Sequence, residues 1–229
     1  RPPRSTLFPY TTLFRSCLLA LFCTAVFLTA CEENLEEETE FYNWKARNEA
    51  AFLDISRQAR NEISQARAQY GDNWEEHCKW RIFRTYAQSP ESAGTATDSI
   101  CVEIIETGNG SGCPLYTDSV KVNYVGRLIP SDSYPDGYVF DHSSPGSPVE
   151  DVFNPNFATP TMLLCSNTVE GFTTALQKMH IGDRWKVYMP QQLGYGSAGT
   201  KALPSYSALI FEIQLLAYYR VGFGPNTSH

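Results

Sequence analysis

Near residue 100 the spacing of apolar residues changes from the three-to-four period of a helix to the two-residue period of a strand. That switch restricts the chain to a mixed α and β architecture. Upstream, Phe41, Trp44, Phe52, Ile55, Ala59, Ile63, Ala66 and Tyr70 stand three or four residues apart, or a multiple of four. Such spacing is one face of an amphipathic helix over 41–70. Lys45, Arg57 and Glu62 fill the positions between, Asn48 interrupts the stripe, and Gly71 supplies the left-handed stop. The stripe either docks on the chain's own domain or pairs with a second copy as a weak homodimer. It holds too few Leu and Ile for a coiled coil.

Downstream, alternation predicts strands at 100–105, 120–126, 138–141, 162–165, 185–189 and 208–219. Pro135-Asp136-Gly137 is a turn, because Pro fixes φ and Gly accepts a positive one. Val169, Phe172, Leu176 and Met179 have helical spacing, stopped at Gly182-Asp183. Lys79–Tyr86 alternates loosely, Ser89–Ser99 reads as a linker, and four Pro make 143–160 a loop. The expectation is an α+β fold, an antiparallel sheet of about five strands wrapped on one short helix, preceded by the amphipathic helix. The divisions are 41–99 (helical appendage and linker), 100–220 (the domain) and 221–229 (a tail).

Residues 17–40 read as an address rather than as fold. Cys17–Ala30 carries no charge and has the length of a secretory signal's apolar region, short of the ~20 residues that span a bilayer. Its end, Leu28-Thr29-Ala30-Cys31, resembles a bacterial lipobox. That resemblance implies cleavage before Cys31, acylation of its thiol and amine, and a membrane held through a lipid anchor. Six Glu in the tether at 31–40 fit a solvated spacer, and also resemble the surface-export tag of Bacteroidota lipoproteins. The location implied is the cell envelope, as an outer-membrane lipoprotein facing the periplasm or the cell surface. Residues 1–16 lack Met, and Thr6–Ser16 (TLFPYTTLFRS) matches the translation of a common short-read sequencing adapter. They are set aside as non-biological.

The formal charge is −7, which argues against nucleic acid as a partner. From Phe41 onward, however, 15 Lys and Arg face 19 Asp and Glu, so much of the acidity belongs to the tether. His77, His142, His180 and His229 form no ligand pairs, and Gly108-Asn109-Gly110 lacks the Lys of a phosphate loop. Neither metal nor cofactor is expected. Ser144 and Ser166 have no His/Asp set to activate them. Cys78, Cys101, Cys113 and Cys165 are read as free thiols in preference to disulfides.

Within 100–218 six short motifs stand in order: Val122-Asn-Tyr124-Val-Gly126, Phe140-Asp141, Val169-Glu-Gly171-Phe172, Gly182-Asp-Arg184, Leu193-Gly194-Tyr195-Gly196, and Leu203-Pro204 followed by Leu209-Ile210-Phe211-Glu212. Together they resemble an FK506-binding-protein (FKBP) type peptidyl-prolyl cis-trans isomerase. The resemblance implies a partner, proline-containing polypeptides, and an apolar pocket. Tyr124, Asp141 and Tyr195 would be catalytic, and Phe140, Val169, Phe172, Leu203 and Phe211 would bind substrate. It also implies that Tyr195 hydroxyl and Val169 N–H donate to substrate carbonyls. Phe172 stands where the family usually has Trp, and Ser205-Tyr206 where a second Pro is frequent. A catalytically weak binding or chaperone module of the envelope is the alternative.

Overall fold

A computed structural model describes residues 40–89, 91–143, 159–199, 203–222 and 225–226. The adapter-like, signal and tether segments lie outside them, as do Cys31, Ser144 and His229. Asn43–His229 forms one compact unit; of the other, Arg1–Tyr42, only Glu40–Tyr42 is described.

Helix α1 spans Trp44–Tyr70. It starts three residues later than the periodicity predicts, because Asn43 turns the chain in the left-handed region at φ 53°. It stops as expected: Gly71 takes φ 59° and its N–H bonds to Arg67 O. A four-residue helix α2 (Trp74–His77) and strand β1 (Trp80–Arg84) follow. The polar stretch read as a linker is an ordered connection. Thr95 and Asp98 cap each other across a short turn, and Thr85 N–H bonds to Asp98 O, which folds β1 back onto β2 (Ser99–Glu106).

The remaining elements are β3 (Ser119–Arg127), β4 (Val139–His142), β5 (Thr161–Leu164), α3 (Glu170–Leu176), β6 (Arg184–Met189), β7 (Leu209–Tyr219) and β8 (Pro225–Asn226). All eight strands belong to one antiparallel sheet in the order β1-β2-β6-β7-β3-β4, with β5 also on β3 and β8 on β7. The sheet is larger than the roughly five strands expected, since β1 and the two-residue β8 join the six predicted segments. The segment read as an appendage is therefore part of the same unit. Gly137 adopts φ 83°, as the Pro-Asp-Gly turn requires.

Alternation sorts the two faces. Val187 pairs with Val102 and lies on the face covered by α3, where Gly171 comes so close to Met189 that a Cβ would sit 2.7 Å from its sulfur. Cys101 points the other way, toward Ser56 of α1. β2 is thus buried on both sides, with Ile100, Cys101 and Val102 fully inaccessible. Cys78, Cys101, Cys113 and Cys165 are free thiols. Burial pushes the Cys101 thiol up to about 11 and Cys165 up to about 12, so both stay protonated and unreactive near neutral pH. Among the described residues no helix is long and apolar enough to cross a membrane, and no cluster of metal-ligating side chains occurs.

Helix α1 is bound to the core by more than its apolar stripe. Trp44, Phe52 and Ala59 join the main core cluster. Asn48, the misfit on the stripe, is 1% exposed: its Oδ1 accepts the Ala208 N–H at 2.8 Å and its Nδ2 donates to Trp44 O at 2.7 Å. A buried amide satisfied on both ends costs little and fixes the register of docking. Trp44 Nε1 donates to Ser207 Oγ at 2.9 Å, and that hydroxyl donates on to Pro204 O. Lys45 Nζ lies 4.8 Å from the Tyr206 ring centre, and Tyr206 itself holds φ 64°. The first two turns of α1 thereby grip the segment that leads into β7.

Candidate functional site

Strand β3 pairs with β7 on one side and has two half-partners on the other. β5 pairs with Ser119–Val122 and β4 with Val125–Arg127. Between them Tyr124 has neither strand opposite, and Ser143 alone completes its backbone pairing. The opening between the half-strands exposes the α3-covered face of the sheet. There Tyr124, Asp141, Val169, Phe172, Tyr195 and Phe211 line a cavity of about 320 Å³.

Phe172 and Phe211, each 3% exposed, make the floor. Their rings meet edge to face with centres 5.0 Å apart and planes at 85°. Tyr124 stands edge-on to Phe172 at 5.6 Å, and Phe140 edge-on to Phe211 at 5.4 Å. Perpendicular rings at these separations attract beyond their buried area and leave little rotational freedom. The packing needs a glycine: a Cβ on Gly126 would lie 2.6 Å from the Phe211 ring and 2.8 Å from the Phe140 ring.

Polar groups sit at the rim. Tyr124 donates its hydroxyl to Asp141 Oδ2 at 3.0 Å, while Asp141 Oδ1 accepts the His142 N–H at 2.9 Å. Burial, then the neighbouring Asp141 charge, raises both the Tyr124 and the Tyr195 phenol above the usual tyrosine range. Both therefore remain protonated donors at neutral pH. Tyr195 keeps 37% exposure, and its hydroxyl has no partner among the described residues. The Val169 N–H is likewise unpaired among them, because Val169 caps α3 in an extended conformation (φ −64°, ψ 150°) while its carbonyl accepts from Thr173. Two donors thus converge on an aromatic cup.

Tyr195 is held by its flanks. Gly196 takes φ 60°, donates to Gln191 O and accepts the Tyr206 N–H at 2.8 Å. Tyr206 is the residue under Lys45, so α1 reaches Tyr195 through a single intervening strand of chain. Of the residues singled out in the sequence, six share the cavity. Phe140 stands behind Phe211, and Leu203, 2% exposed, packs in the core outside the lining. Leu163, Asn167 and Thr168 complete the wall and were not singled out. Leu163 pairs with Val120, and its place in the alternation of β5 was the signal available. The Cys165–Asn167 turn carries no periodic pattern.

The family model described as FKBP-type peptidyl-prolyl cis-trans isomerase matches residues 113–216. The macrophage infectivity potentiator of Trypanosoma cruzi is 32% identical over 63% of this chain and 65% of its own length. The FKBP-type 22 kDa peptidyl-prolyl cis-trans isomerase of Escherichia coli K12 is 34% identical over 55% of this chain and 53% of its own. The chain thus spans less than two thirds of either relative. The crystal structure of FkpA from E. coli aligns with a TM-score of 0.44 at 23% identity, over 89% of this chain and 81% of that one. Over residues 113–216 the chain is thus similar to the FKBP-type peptidyl-prolyl cis-trans isomerase family.

Proposed function

We propose that the chain is a peptidyl-prolyl cis-trans isomerase acting on X–Pro bonds of exported polypeptides. The observation that carries this reading is the aromatic cup of Tyr124, Phe172 and Phe211 with two unspent donors, Tyr195 hydroxyl and Val169 N–H, at its rim.

Rotation about a peptide bond faces a barrier of about 18–20 kcal/mol from amide resonance, and X–Pro bonds take tens to hundreds of seconds to interconvert. The transition state is a twisted amide with less dipole than the planar form. No covalent bond is made or broken, so neither nucleophile nor base is required. The cup takes the prolyl ring and excludes water, which penalises the planar, more polar amide relative to the twisted one. Tyr195 and Val169 hold the flanking carbonyls while the bond turns. Asp141 anchors Tyr124, so that this wall does not rotate into the space the proline needs.

A protease-coupled proline-peptide assay on residues 33–229 tests the reading. The wild type should accelerate the cis-to-trans phase, and a Tyr195→Ala/Asp141→Ala variant should lose roughly tenfold or more of kcat/KM. Equal rates for both, at the uncatalysed background, would leave only a binding or chaperone module.

The envelope location rests on the sequence. The lipobox-like run ending at Cys31, followed by six Glu, supports an exported lipoprotein. A Cys31→Ala change should move the protein from the membrane to the soluble fraction; continued sedimentation with membranes would refute the lipid anchor.

A further inference from the structure

A second cavity, about 470 Å³ and so larger than the prolyl cup, lies beside it. Tyr86, Tyr116, Ser166, Thr168, Glu170 and Gln177 are among its walls. The two cavities share Thr168, and the turn before it divides them: Asn167 faces the prolyl cup and Ser166 the second cavity. The floor is the outer side of α3, whose inner side carries Phe172.

The lining chemistry is specific. Tyr86 and Tyr116 stand at the rim, 58% and 55% exposed. Lys178 Nζ, 4.7 Å from the Tyr86 ring centre, steadies that ring. The Thr173 and Thr174 hydroxyls are spent on the carbonyls of Cys165 and Glu170. Glu170 accepts a hydrogen bond from Thr85 Oγ1, which ties α3 to the end of β1. Both nearby charges, Glu170 and Lys178, are thus already engaged, so a charged ligand is not what the walls call for. By contrast the Ser166 hydroxyl and the Gln177 amide have no partner among the described residues. What remains is two aromatic plates and neutral hydrogen-bonding groups, the combination that holds an extended peptide backbone bearing uncharged side chains.

We propose that the second cavity binds the stretch of polypeptide flanking the proline, with the chain crossing the Thr168 ridge from one cavity to the other. This rests on the isomerase reading, and it assigns substrate-length specificity to residues outside the prolyl cup. Thr85–Ala87 lie upstream of the family-matched segment, so this wall is supplied by the N-terminal part of the chain.

The test uses two synthetic peptides with the same Leu-Pro core, one short and one extended on both sides by uncharged residues. Exchange between isomers is followed by nuclear magnetic resonance. The long peptide should show the lower KM at similar kcat. In a Tyr86→Ala/Tyr116→Ala variant the ratio of long-peptide to short-peptide KM should rise about tenfold, the loss of one good aromatic contact. Gln177→Ala should shift the same ratio in the same direction, by less. Equal KM values for both peptides in the wild type, or an equal change for both in the variant, overturns the proposal. Absence of exchange on either peptide would sink the isomerase reading instead. Titration calorimetry still decides the subsite in that case: a long peptide that binds no tighter than the short one overturns it.

Discussion

The Trp44→Ala variant is expected to melt about 10 °C below the wild type. Truncating a buried Trp removes some 3–5 kcal/mol, and each kcal/mol is worth about 2–4 °C in a domain of this size. Trp44 is 6% exposed and sits in the main core cluster, although it lies far outside the family-matched residues. Its loss also frees Ser207, and with it the Pro204–Ala208 segment whose Tyr206 N–H fastens Gly196 beside Tyr195. Isomerase activity, measured well below the melting point, should therefore fall with KM rising more than kcat, because the rim donor loses its fixed place. Trp44→Phe separates the two effects. It keeps most of the buried area and leaves only Ser207 without its donor, so its stability loss should be about 1 kcal/mol. Thermal unfolding followed by circular dichroism reads the stability difference. A Trp44→Ala protein that melts with the wild type would show that α1 does not hold the fold.

Gly126→Ala should damage the site more than the fold. The added methyl meets Phe211 and Phe140 well inside contact distance, and both rings are wedged edge to face. Overpacking of this kind costs about 1–3 kcal/mol. The rings can relieve it only by tilting into the cup, and a displacement near 1 Å at a reacting group can cost about a hundredfold in rate. The expected outcome is a folded protein with kcat/KM down by about two orders of magnitude, the largest single-residue effect anticipated here. An unchanged rate would mean that Phe211 does not shape the space the proline enters.

The two ends of the site differ in how much of them the sequence discloses. Tyr124, Phe172 and Phe211 announce themselves because each falls on the inward period of its element, at a spacing shared with a known family. Asn167 and Thr168 do not, because a short irregular turn has no period to read. Leu203 shows the opposite failure: motif order points to it, but side-chain direction at the end of a loop is set by tertiary packing, and it turns into the core. Asn48 reads as a defect on an apolar stripe until its partner appears 160 positions away, where the Ala208 N–H needs an acceptor. Similarly, Lys79–Tyr86 alternates too loosely to be placed, and only its pairing with β2 shows that it closes the sheet.

That closure bears on where the molecule can be divided. A fragment beginning near residue 99 would strip β1 from Ser99–Glu106 and α1 from the Cys101 side, and one beginning at the family-matched segment would lose β2 as well. The row of backbone donors and acceptors so uncovered runs along a strand eight residues long. An open strand of that kind recruits whatever extended chain is nearby, including another copy of itself. Helix α1 and strand β1 thus seal an edge as well as support the fold, and solubility, not only activity, depends on keeping them attached.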